Sequence, residues 1–422
     1  MRLDKKDLHR RAEAHLWHDT YHLDEESMPI IGIKGDGGWV TDIDGNKYFE
    51  GMSGHSCLNL GYGCKELIKA AFDQMEDLPY FSPDACHVPA IELSSKLSEL
   101  LQGSYVTFFS TSGSEANEIA LKIARQYHIQ NGKPNKYKFI SHYRGYHGGT
   151  SGAQNISSTP VFKAKFGSSV PGFIHILPPY HYRCPFGENG SNCDLAVANY
   201  IDQIIHREEA DTVAGIVVEP FLFAGGCITP SKEYLRWISE ICKKHDVLLI
   251  LDEVITGFGR TGKMFGYMHS KGVHPDIITM AKGLTSAYVP LGATAVSSKI
   301  YSTFKESGNH LRHFSTMGGH PVACAVALKN IEIMERENLV DRVAELSKTI
   351  LTKLHDLAKF DVVGDVRGIG FMYGIELVED KTSKTPIPEE WMKKVSSLCK
   401  DKGLLLGVDE NIIRINPPLI ST

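Results

Sequence analysis

The chain has 422 residues, 42% of them hydrophobic and 23% charged, with a formal net charge of −5. That balance is ordinary for a globular protein and gives no reason to expect nucleic acid or an anionic membrane as partner. The length can bury a large core and suggests one large domain with a smaller one.

In chain order, "MRLDKKDLHRRAEAHLWHD" is too polar for a signal peptide and carries acids that transit peptides usually lack. It reads as an exposed amphipathic helix on a cytoplasmic protein, and no apolar run approaches a membrane span. "GGWVTDIDGNKYFE" alternates apolar and polar residues around a "DGN" turn, which predicts a β-hairpin over Trp39 to Phe49. From about Lys65 to His310, short apolar strands ("VTFFS", "KFISH", "GIVVEP", "VLLILDE", "DIITM") alternate with helical segments. That alternation predicts an α/β domain with a mainly parallel sheet, whose buried strands read as unbroken apolar runs. After residue 318 comes a long helical pattern, then "GIGFMYGIELV", a helix around "WMKKVSSLCKDKG" and a last strand "NIIRINPPL". The expected organisation is an N-terminal segment, 1–54, packing on a small α+β domain, 318–422, with a large domain, 55–317, between them. The 9 cysteines form no CxxC pair, so a disulfide framework is not expected. His181, Cys184 and Cys193 are too few and too loosely spaced for a structural zinc, which leaves a loop with buried or free thiols and no metal.

Ligands of open α/β sheets bind at the carboxyl ends of the strands. After "VTFFS", the residues Ser112, Gly113 and Ser114 offer free backbone N–H groups at a helix start, an anion site suited to phosphate. The same stretch also reads as a capping box, Ser112 with Glu115, and the two readings are compatible. At the next strand end, Tyr146 and His147 with paired glycines can lie against a planar ligand, or can be a turn with exposed aromatics. Asp252 follows five apolar residues, and a carboxylate there is costly unless it meets a cation or hydrogen bonds. One strand later, after 30 residues, Lys282 holds the equivalent position in "DIITMAKGL". A phosphate cradle, a stacking aromatic, a buried acid and a strand-end lysine are together the parts of a pyridoxal-phosphate site.

With "TSGSEANE", "YHGGT", "LDEVITGFGRTG", "MAKGL" and "STMGGHP" in this order, the sequence resembles the class III aminotransferases. These are fold type I pyridoxal-phosphate enzymes, and the pattern is similar to the alanine–glyoxylate and ω-amino acid–pyruvate branch. The resemblance implies a Schiff base on Lys282, an Asp252 partner for the pyridinium nitrogen, Val254 under the ring and Tyr146 over it. It implies a phosphate bound by Gly113 and Ser114, joined by Thr316 from a neighbouring subunit, and hence a homodimer or a tetramer built from it. His147 and Glu219 are further cofactor-site candidates, Glu219 often holding an arginine in check. Arg414 matches the arginine that binds a substrate α-carboxylate, which favours pyruvate, glyoxylate or 2-oxoglutarate as acceptor. His55 and Ser56 stand where related ω-transaminases carry a bulky apolar wall, and suit a polar amine such as β-alanine or taurine. The expected reaction is ping-pong amino transfer from an amino acid or ω-/β-amine. The same family resemblance leaves a racemase or phospholyase as alternatives, and a non-catalytic binding protein on this fold as a third.

Overall fold

The computed structural model describes residues 4–18, 29–159, 166–167 and 169–422. Of the N-terminal reading, residues 1–3 and Asp19 lie outside the described residues; within it, Lys5–His15 is a helix with no buried residue, capped by Asp4. The predicted hairpin forms from Trp39–Asp42 (β2) and Lys47–Glu50 (β3), preceded by Gly32–Asp36 (β1). The Asp42 carboxylate fixes its turn, accepting from the backbone N–H groups of Asp44 and Asn46.

The central sheet uses Tyr105–Ser110 (β4), Lys138–His142 (β5), Phe173–Ile176 (β6), Val213–Val218 (β7), Leu248–Asp252 (β8), Ile277–Met280 (β9) and Gly292–Ser297 (β10), in the order β4-β10-β9-β8-β7-β5-β6. The neighbours from β9 to β6 are parallel, as the unbroken apolar runs predict, and β7 and β8 are buried at every residue. Helices make the crossovers. Tyr234–His245, between β7 and β8, turns Tyr234, Leu235, Ile238 and Cys242 inward at helical spacing. Strand β10 is antiparallel to both β9 and β4. The link from β9 to β10 carries only a short 3₁₀ turn, Lys282–Leu284, which is too little chain for a parallel crossover. Lys282 therefore sits where the chain doubles back.

The long helical pattern after residue 318 resolves into two helices, Pro321–Arg336 and Leu339–His355. They are broken at Asn338, whose φ of 51° lies in the left-handed region that asparagine tolerates. Val363–Ile369 (β11), Met372–Asp380 (β12), Thr385–Pro386 (β13), Gly407–Asp409 (β15) and Ile412–Ile415 (β16) form an antiparallel sheet against the helix Glu389–Asp401. Leu404–Leu405 (β14) pairs in parallel with β3, tying the N-terminal hairpin to this C-terminal region. Among the described residues no helix is long and apolar enough to cross a membrane.

Candidate active site

Strands β4, β5, β7, β8 and β9 run the same way and end on one edge of the sheet. That edge gathers Ser112–Ser114, Tyr146, His147, Glu219, Asp252 and Lys282, residues spread over 170 positions of sequence. Asp252 is 3% exposed and held by three donors. Asn117 Nδ2 reaches its Oδ2 at 2.9 Å, His147 Nδ1 the same oxygen at 2.8 Å, and the Val254 backbone N–H its Oδ1 at 3.0 Å. Burial works against an imidazolium at His147, yet the Asp252 carboxylate and, more weakly, Glu219 outweigh it and raise the His147 pKa. Lys282 has a left-handed backbone, φ 45°, and its amine is bonded to no protein group among the described residues. Burial pulls its pKa down, against the attraction of Cys57, Asp252 and Glu219. Burial also pushes Glu219 up to about 7, while its Oε1 accepts the Tyr146 N–H at 3.1 Å.

At the other side, Ser112 caps the helix Gly113–Gln130 by accepting from the Glu115 N–H at 3.2 Å. Glu115 does not close the expected box onto Ser112; its carboxylate takes the N–H and hydroxyl of Thr111. The N–H groups of Gly113 and Ser114 keep no protein acceptor among the described residues, so the helix start presents free donors. The cradle is close-packed: a Cβ on Gly113 would meet the Val254 methyls at 3.0 and 3.1 Å, and one on Gly148 would meet Ser114 Oγ at 2.4 Å. Ser114 Oγ also accepts the Gly149 N–H, joining the helix start to the loop of Tyr146. Free amides for a phosphate, a buried carboxylate fixed from three sides and an unbonded amine at the next strand end fit pyridoxal 5'-phosphate.

Arg414 lies on β16; its Nη1 donates to the Ala224 carbonyl at 3.1 Å and its Nε is buried without an acceptor. Glu219, expected to hold an arginine in check, pairs with no arginine among the described residues; its Oε1 accepts the Tyr146 backbone N–H. Ser56 is 4% exposed and its hydroxyl accepts from Asn416 Nδ2, whereas His55 is exposed beside it. Thr316 is exposed, its carbonyl accepting from Tyr80. Sequence reasoning missed Asn117, whose amide joins Asp252, the His147 carbonyl and the Thr279 hydroxyl. The signal available was one polar residue on the apolar face formed by Ala116, Ile119 and Ala120. Glu253 is structural, accepting the Gly266 and Tyr267 N–H groups. The expectation of free thiols at Cys184 and Cys193 is corrected: the two are joined as a disulfide. Their Cα atoms lie 6.0 Å apart, within bonding reach, and His181 Nε2 lies 2.7 Å from Asp194 Oδ1.

The "Aminotransferase class-III" family profile matches residues 20–422. An uncharacterized aminotransferase of Bacillus subtilis (strain 168), YhxA, is 46% identical, over 98% of this chain and 93% of its own. The taurine–pyruvate aminotransferase of Bilophila wadsworthia is 37% identical, over 100% of this chain and 95% of its own. Among solved structures, a Bacillus anthracis aminotransferase superposes with a TM-score of 0.96 at 44% identity, covering 100% of this chain and 96% of that one.

Proposed function

The chain belongs to the class III aminotransferases, fold type I enzymes that depend on pyridoxal 5'-phosphate, and we propose that it moves amino groups from ω- or β-amino acids to pyruvate or a related 2-oxo acid at the Lys282–Asp252 site. The observation that carries the site assignment is the unbonded, desolvated Lys282 amine beside a carboxylate held by three donors. When bound, pyridoxal 5'-phosphate supplies a carbonyl carbon that takes up the amino group and a ring that accommodates electrons from the breaking C–H bond. Asp252 holds a proton at the ring nitrogen, and His147 and Asn117 keep its carboxylate oriented. Gly113 and Ser114 bind the phosphate through backbone N–H groups. Val254 and Tyr146 would hold the ring between them.

Lys282 would hold the cofactor through its amine and, when that amine is free, would serve as the base that takes the proton from the donor carbon. Its lowered pKa keeps a fraction of the amine neutral for that step. A 2-oxo acid reverses the sequence, which makes the kinetics ping-pong. Arg414 takes the α-carboxylate of the acceptor in a bidentate grip, the orphaned Nε being one of the two donors available. Thr316 reaches the phosphate of a second copy; its exposure beside Phe314 and Met317, 61% and 53% exposed, supports a homodimer covering this segment. The polar relatives' donors, taurine among them, support a donor with an acidic far end.

The test is a donor screen against pyruvate with alanine as the measured product. Alanine formed from β-alanine, taurine or 4-aminobutyrate supports the reading. Racemisation or elimination without alanine overturns it.

A further inference from the structure

Three successive carbonyls of the loop after β7 are each held by an arginine. Arg414 Nη1 donates to Ala224 at 3.1 Å, Arg144 Nε to Gly225 at 2.8 Å, and Arg367 to Gly226 at 2.6 Å. The three guanidinium groups therefore face one turn of chain at the edge of the cleft. Their charges are balanced differently. Arg367 is neutralised inside the protein by Asp365 at 2.6 Å and Glu376 at 3.0 Å. Arg414 has no bonded acid among the described residues. Arg144 has one, Glu410 at 2.7 Å, and the Glu410 side chain is 55% exposed.

Arg144 leads directly into the loop of Tyr146, and Glu410 sits in the turn between β15 and β16, four residues before Arg414. Their ion pair thus spans the cleft from the cofactor loop to the carboxylate-binding strand. Both residues hold left-handed backbones, φ 68° for Arg144 and 50° for Glu410. Non-glycine residues adopt that region at a cost, and such strain collects at functional sites. An ion pair with one partner in water contributes little and is screened by salt, so it is readily exchanged for another anion.

We infer that Arg144 is a second anion position of the substrate cleft, held by Glu410 until the distal acid group of a donor displaces it. The inference rests on the proposed function above. An oxo acid acceptor carries its carboxylate next to the reacting carbon, where Arg414 receives it. A β-amino acid or an aminosulfonate carries its acid one or more bonds further out, where a second guanidinium can receive it. Two arginines anchored on adjacent carbonyls give each half-reaction its own anchor. The planar fork of arginine takes carboxylate and sulfonate oxygens alike.

The test uses the cofactor-loaded enzyme and two variants. In Arg144→Gln, the ratio of kcat/KM for β-alanine or taurine to that for L-alanine falls about tenfold or more, as loss of a charge-assisted contact predicts. The affinity for isethionate, a sulfonate without an amine, measured by calorimetry, falls about as much. In Glu410→Gln, isethionate binds several-fold more tightly, a gain that misfolding cannot produce. An unchanged ratio in Arg144→Gln, or weaker isethionate binding in Glu410→Gln, overturns the inference. If the wild type transfers from distal-acid donors and Arg144→Gln leaves the ratio unchanged, the inference falls while the proposed function stands; if the wild type transfers from L-alanine alone, the ω- or β-donor assignment falls with it. If it transfers from neither, the proposed function itself falls.

Discussion

Replacing Asn117 by leucine removes one amide that serves three groups and keeps the branched heavy-atom skeleton. The His147 carbonyl loses its donor at 2.7 Å, Asp252 loses one of three donors at 2.9 Å, and the Thr279 hydroxyl loses its acceptor at 3.0 Å. Asn117 is 2% exposed, so water does not readily replace it. A buried group left unpaired costs about 1–3 kcal/mol, and two neutral groups are stranded, giving about 4 kcal/mol of lost apo-protein stability. The contact to Asp252 is charge-assisted, worth about 1.5–3 kcal/mol. If half of that is expressed when the cofactor binds, its dissociation constant rises about fourfold to tenfold. Thermal unfolding of the apo-enzyme reads the first effect, and titration of apo-enzyme with pyridoxal 5'-phosphate, followed by absorbance, reads the second. A variant that matches the wild type in both would refute the assignment of Asn117 as the residue that orients Asp252.

Three further outcomes are expected. Lys282→Ala lowers turnover by on the order of 10³-fold or more, and borohydride no longer fixes the cofactor to the protein; full turnover in this variant would remove Lys282 from the chemistry. Burial raises Glu219 from near 4.5 to about 7, so between these pH values the folded protein keeps a proton that the unfolded chain releases. Stability therefore falls as pH rises through that window, by about 3 kcal/mol at 1.36 kcal/mol per pH unit, and is flat above it. Apo Glu219→Gln has a shallower decline in Tm from pH 5 to 7 than the wild type, with a slope remaining from Glu253, itself raised to about 7; parallel curves would contradict this. Thiol titration of the denatured protein finds seven thiols before reduction and nine after. Reduction costs about 2.6 kcal/mol for a loop of this length, and nine thiols at the outset would exclude the Cys184–Cys193 bond.

Lys282 and Asp252 were legible because parallel strands buried on both faces read as unbroken apolar runs, against which a charge at the strand end stands out. The helix starting at Gly113 was legible from its cap. Asn117 was not, because its partners Asp252 and Thr279 lie 135 and 162 residues away, and only the folded sheet brings them to its amide. Arg144 escaped for a related reason: next to Tyr146 it reads as a solvated turn residue, and its partners Gly225 and Glu410 come from the β7 loop and the C-terminal sheet. The disulfide ran against an inference from cysteine spacing, the lack of a CxxC pair, which carries no information about the geometry of the loop between two cysteines nine positions apart.

Several of the left-handed non-glycine residues belong to segments around this cleft. Left-handed φ angles occur at Ser53 (49°), Ser56 (63°), Arg144 (68°), Lys282 (45°), Ser286 (49°) and Glu410 (50°), none of them glycine. Each costs of order 1–3 kcal/mol and persists only where the surroundings over-determine it. Ser53 and Ser56 are fixed by one residue, Asn416, whose carbonyl accepts from the Ser53 hydroxyl and whose amide donates to Ser56 at 2.6 Å. Ser286 is fixed by Asn330 at 2.6 Å and by the Leu60 N–H. Arg144 is held by the Gly225 carbonyl as well as by Glu410. Lys282 differs, because among the described residues nothing bonds its side chain. Its neighbours hold the backbone instead: the Asn330 amide donates to the carbonyls of Gly283 and Leu284, and a Cβ on Gly283 would meet Asn59 Nδ2 at 2.5 Å. A rigid backbone with a free side chain is what the proposed role asks of this lysine, which would stay in place through both half-reactions while its amine is bonded in one state and moves protons in the next.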